Sequence, residues 1–264
     1  MTMRCGRVWA AMTAMVLLLC AFGAAAENAS DRQYVLSKGV LVIGVTEFEP
    51  MDYRDQDNEW IGFDADLAKA FAESLGVKAE FVEIDWDSKV LELNGRTIDC
   101  VWNGMTLTPE VLGAMGCSKA YLNNAQVVVV RASVAAQYQD TDSLKALAFA
   151  VETGSAGEKE AAALGLSYTP VASQADALME VAAGTSDAAI IDSLMAAAMI
   201  GEGTSYANLA YTVALSSEEY GVGFRAASDL PDALNAFLAA AYQDGTLTAL
   251  AEKYGVQAAL IAQE

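Results

Sequence analysis

The chain has 264 residues, 15 Lys and Arg against 35 Asp and Glu, no histidine, and 54% apolar side chains. That apolar content supports one large or two modest packed domains and excludes a disordered chain. A net charge of −20 argues against nucleic acid and anionic membrane surfaces as partners. The lack of histidine removes Ser-His-Asp and Cys-His catalysis and the usual imidazole zinc sites.

The first 26 residues carry Arg4 and Arg7, an apolar run from Val8 to Phe22, and the small residues Ala24-Ala25-Ala26. This is the make-up of a secretory signal with a mature start near Glu27, and it predicts an exported protein, periplasmic or on the cell surface. The run is short for a membrane span and is broken at Gly23. Cys20 offers lipid attachment as an alternative, although the preceding Leu19 is not the small residue that such a site normally has. Removing the signal leaves 13 basic against 35 acidic side chains, a charge of −22. Most of these carboxylates are expected on solvated faces. Cys100 and Cys117 also remain; export permits a disulfide, and two separate buried thiols fit the sequence equally well.

The run Val40 to Val45 predicts a buried strand. In Gly62-Phe63-Asp64-Ala65-Asp66-Leu67-Ala68, Asp64 reads as a helix cap and Asp66 as a first-turn acid. Leu67, Phe71 and Leu75 then recur every four residues up to a left-handed stop at Gly76, so the helix is expected over 64–75. A strand over 79–84, a helix near 86–94 and a strand over 98–102 follow. Ala125 to Val130 is a strand of nearly pure valine. A second alternating set comprises strand 148–151, a helix after Gly154-Ser155, strand 168–171, helix 174–183, strand 188–191 ending in Asp192, and helix 193–200. Strand 220–224 and helices over about 229–242 and 246–254 close the chain. Strands alternating with helices predict parallel sheets.

Several motifs, in order, resemble those of the extracellular solute-binding proteins, family 3, that serve amino-acid ABC importers. They are the GFDxDLA helix start, the strand and turn Ile98-Asp99-Cys100-Val101-Trp102-Asn103-Gly104-Met105-Thr106-Leu107-Thr108-Pro109-Glu110, and Ala120-Tyr121. Glu152-Thr153-Gly154-Ser155, the segment from Ala183 to Asp192, Tyr220-Gly221-Val222-Gly223-Phe224 and Asp244-Gly245-Thr246 complete the set. Together they span nearly all of residues 34–255.

The resemblance implies an α/β fold of the type II periplasmic-binding-protein kind, with two lobes joined by hinge strands. After the signal (1–26), lobe one takes residues 27–124 plus 217–264 and lobe two residues 125–216. Asn123-Asn124 then reads as a hinge turn. The implied function is extracytoplasmic capture of a small amine-bearing solute, an amino acid first of all, with delivery to a membrane permease. The protein is expected to be monomeric and to need no cofactor or metal.

By the same resemblance, Asp192 takes the ligand's ammonium group, while the plain reading makes it a strand-end helix cap. Gly104, Thr106, Thr108 and Ser155 present donors to a carboxylate. Glu47 stands where relatives carry an acidic contact, or is a solvated loop residue. Phe48, Trp86 and Trp102 line the pocket or simply pack the core. Tyr53 and Trp60 are expected on the lobe surface, and Met179, Met195 and Met199, at helical spacing, in the core.

One departure stands out. The family's arginine for the α-carboxylate is replaced, because the motif here reads Thr108-Pro109-Glu110-Val111. Three readings follow: threonine, serine and backbone donors suffice; another cation, such as Lys119 or Arg131, substitutes; or the ligand is a cationic amine without an α-carboxylate. A ligand-sensing module and a dehydratase-type enzyme on the same fold are the remaining function classes. The enzyme would have to use Asp192, Glu47 or Cys100 as acid or base.

Overall fold

Runs of Val, Ile and Leu buried on both faces set the centres of two sheets. The structure, a computed structural model, describes residues 30–263. The signal segment, Cys20 and the expected mature start lie outside them. The first unit holds helix α1 (Asp31–Lys38), strand β1 (Val40–Val45), the hairpin β2 (Tyr53–Arg54) and β3 (Trp60–Ile61), helix α2 (Phe63–Ser74) and strand β4 (Lys78–Glu83). A 3-10 turn (Trp86–Ser88) leads into α3 (Lys89–Gly95), then β5 (Cys100–Thr106), α4 (Pro109–Ala114), β6 (Gly116–Cys117) and β7 (Leu122–Asn124). The second unit holds β8 (Gln126–Arg131), β9 (Ala148–Glu152), α5 (Ala156–Ala163), β10 (Ser167–Val171), α6 (Gln174–Ala183), β11 (Ala188–Asp192), α7 (Ser193–Met199) and β12 (Leu209–Ala214). The chain returns through β13 (Glu218–Phe224) and closes with α8 (Leu230–Gln243) and α9 (Thr246–Lys253).

One sheet runs β4-β1-β5-β13-β6, with β7 also paired to β13; β4, β1 and β5 are parallel, and β13 is antiparallel to β5. The other runs β10-β9-β11-β8-β12, with β10, β9 and β11 parallel and β8 and β12 antiparallel additions. This is the α/β arrangement that the alternating pattern predicts, with antiparallel strands added to each sheet, in the two lobes that the family resemblance implies. The chain passes from one sheet to the other at Ala125 and back between Ala214 and Glu218. In each sheet the parallel strands direct their C-terminal ends toward the loops that open helices, where open α/β sheets hold ligands.

Several local expectations are corrected. Asn123 and Asn124 form a strand against β13, so they are not a free turn. Trp60 is buried under the Arg54 guanidinium, which lies 4.2 Å from its ring centroid, and Tyr53 is half-buried. Met195 is fully buried as expected, but Met179 points to solvent at 53% exposure. The cysteines are separate thiols: Cys100 pairs with Phe224 and Cys117 with Gly223 on the two flanks of β13. Two strand spacings, roughly 9–10 Å, separate them, beyond disulfide reach.

Candidate ligand-binding site

Between the ends of the two sheets lies a cavity of about 310 Å³. The first lobe lines it with Glu47, Phe48, Trp86, Lys89, Gly104, Thr106, Thr108 and Val111, and the second with Glu152, Ser155, Gln174 and Asp192.

Its floor is the end of β5. Gly104 has φ +53°, and a Cβ there would stand 2.5 Å from Phe48 Cε1 and 3.1 Å from a carbon of the Tyr220 ring. Only glycine fits this left-handed, crowded position. Asp64 fixes it from below. Fully buried, it does not cap α2, whose N-cap is Gly62 without a side-chain bond. Instead its Oδ2 accepts from the Gly104 N–H at 2.7 Å, and its carboxylate accepts from the Tyr121 hydroxyl at 2.8 Å. Burial still pushes its pKa up to about 6, against the lowering effect of these donors. Beside it, Asn103 ties β1 to β5. Its Oδ1 accepts from the Thr46 hydroxyl at 2.7 Å, and its Nδ2 donates to Asp52 Oδ2 at 2.8 Å.

On the second lobe Asp192 ends β11 almost completely buried. Its Oδ1 accepts from Asn124 and from Gln126 Nε2 (2.8 Å), and its Oδ2 accepts from Gln174. It makes no side-chain cap to α7, so the helix-cap reading falls. Burial, and next the negative charge of Glu218, raise its pKa to about 7. Glu218 is itself held by Thr106 (2.9 Å), Asn124 (3.1 Å) and Gln126 (3.0 Å). A polar knot of side chains from β5, β7, β8, β11 and β13 therefore links the two crossings at the back wall of the cavity.

The hydroxyls divide by role. Thr106 donates its proton to Glu218, so that hydrogen does not serve a ligand carboxylate. Thr108 and Ser155 instead accept backbone N–H groups as N-caps of α4 and α5, from Val111 at 3.2 Å and Glu158 at 3.0 Å. Each keeps its own hydroxyl hydrogen for the cavity. Val111 lines the wall among Trp86, Met105 and Met115. Neither Lys119 nor Arg131 lines the cavity, so neither is the substitute cation. Lys89, which the sequence reading missed, does line it. Its ammonium lies 4.6 Å from the Trp86 ring centroid and donates to the carbonyls of Trp86 (2.9 Å) and Gly154 (3.2 Å). Burial lowers its pKa to about 8.

The cavity therefore gathers Glu47, Phe48, Trp86, Gly104, Thr106, Thr108, Ser155 and Asp192. Trp102 is the exception. It is wholly buried and packs on Phe71 of α2, ring centroids 6.1 Å apart, because β5 is covered on both faces and this position turns toward the helix. Glu47, pushed up in pKa by burial and by Glu83, stands at the cavity rim.

Residues 41–257 match the bacterial extracellular solute-binding proteins, family 3. The chain belongs to this family. It is 28% identical over 250 residues to the arginine-binding extracellular protein ArtP of Bacillus subtilis, covering 91% of this chain and 96% of that protein. A crystal structure of a mutant ArgBP from T. maritima superposes with a TM-score of 0.80 at 30% identity, covering 85% of this chain and 99% of the other. A shorter match, 28% over 135 residues and about half of each chain, joins this family member to the cyclohexadienyl dehydratase of Pseudomonas aeruginosa. No helix among the described residues is long and apolar enough to cross a membrane.

Proposed function

We propose that this solute-binding protein captures an α-amino acid outside the cytoplasm and presents it, as a monomer, to a membrane permease with its ATPase. The lobes are residues 27–124 plus 217–264 and 125–216. Export is through the N-terminal signal, with cleavage ahead of Glu27. The observation that carries the reading is Asp192: an interlobe carboxylate, buried and set by three amides, which leaves acceptor capacity for one ligand ammonium. Opposite it, the free hydroxyl hydrogens of Thr108 and Ser155 and the spare Lys89 donor take the carboxylate, in place of the bidentate arginine that Val111 precludes. Phe48 and Trp86 bound the side-chain end.

The likeness to a dehydratase favours a second reading, and the same protein sample decides it. In a thermal-shift screen of the protein, refolded to strip carried-over solute, a saturating amino acid adds roughly 2.7 kcal/mol at one hundred times the Kd. The amino acid is then recovered chemically unchanged by NMR. No shift with any of the twenty amino acids contradicts the capture reading, and conversion of the solute establishes the enzyme.

A further inference from the structure

Glu152 is the last residue of β9 and lines the cavity at 3% exposure. Its Oε1 has no hydrogen-bond partner. A buried carboxylate oxygen left without a donor costs more than almost any other polar group, so it marks a place where a donor is received. The charged groups around it are Asp192 on β11, Lys89 on α3 and Asp176 on α6, with the Gln174 amide also alongside. The Lys89 ammonium is engaged by two backbone carbonyls, and Lys159, the cavity's other lysine, is paired with Glu110. Six carboxylates line the cavity against these two lysines.

We infer that Glu152 is a second cation-binding group, and that the solute carries a protonated nitrogen beyond the ammonium on Asp192, as a dibasic amino acid or a diamine does. The inference rests on the cavity being the solute site, and it narrows the solute class. Burial and the Asp192 charge raise the Glu152 pKa to about 8, with Lys89 opposing. The empty site therefore holds a proton near neutrality that a cation displaces. Binding then strengthens as pH rises from about 7 toward 8.

The test is calorimetric titration at pH 7.5 with arginine, lysine and ornithine, with the uncharged citrulline and norleucine, and with 1,4-diaminobutane, for the wild-type protein and Glu152→Gln. At least one dibasic amino acid is expected to bind about tenfold or more tighter than both uncharged ones. Glu152→Gln should bring the two classes within about threefold and release fewer protons on binding, judged in buffers of different ionisation enthalpy. Uncharged solutes binding as tightly as dibasic ones, or a preference that survives Glu152→Gln, overturns the inference and leaves the amino-acid reading intact. Binding of the diamine alone upholds the second nitrogen and overturns the amino-acid reading. Binding of no amine overturns both.

Discussion

At the scale of single residues, the buried acids of the first lobe set a measurable pH dependence. Asp52 is fully buried, its Oδ1 has no partner, and burial and the neighbouring Asp64 push its pKa well up. Both acids hold protons in the folded protein that the unfolded chain has released. Their contribution to stability is therefore full below about pH 4 and is lost as pH rises through 6 and beyond. Asp52→Asn keeps an acceptor for Asn103 and removes the ionisable group. By differential scanning calorimetry this variant should melt higher than wild type at pH 8, and the gain should shrink toward pH 4.5. An equal gain at both values would place the effect outside this titration.

At the scale of elements, polar contacts join the lobes across the cavity as well as at the crossings. Glu110 at the start of α4 pairs with Lys159 on α5, and Lys89 reaches across to the Gly154 carbonyl. The Glu110–Lys159 pair is exposed and is expected to contribute little. Lys159→Ala should raise the solute off-rate by no more than about fivefold at low salt, and the difference should fade at high salt, by stopped-flow fluorescence. A larger, salt-independent change would mean that Lys159 touches the solute.

Elements were legible where burial made the pattern continuous. The strand expected at 40–45 is β1, and the helix expected at 174–183 is α6. The strand Leu209–Ala214 was missed because it lies at a sheet edge and buries only Leu209, so it has no continuous apolar run or clean apolar face. Within the site, most motif residues were legible, whereas the cavity positions of Lys89 and of Glu152, quoted only as part of a motif, were not. Lys89 lies outside the motifs, and the burial of both residues comes from packing on their own lobes as well as from the facing one, which local sequence does not show. The knot of Asn124, Gln126, Asp192 and Glu218 joins residues up to 94 apart, which no local pattern shows. Trp102 was misplaced for the converse reason: a strand buried on both faces gives no period by which to choose the cavity side.

At the scale of the whole molecule, two sheets joined by two crossings make a hinge. The polar knot at the back wall of the cavity stiffens those crossings, so motion is expected to be rigid-body rotation of the lobes rather than local melting. Small-angle scattering of the solute-free protein should give a larger radius of gyration than the solute-saturated protein. Equal values in the two states would contradict closure on the solute.

The account stands or falls on Asp192 as the ammonium anchor between the lobes. Calorimetric titration with the tightest-binding amino acid should show Asp192→Asn weakening binding by about tenfold or more, because the opposing charge is lost while the side-chain shape is kept. Circular dichroism should show the fold retained. Unchanged affinity in the folded variant would remove Asp192 from the site and with it the proposed mode of capture.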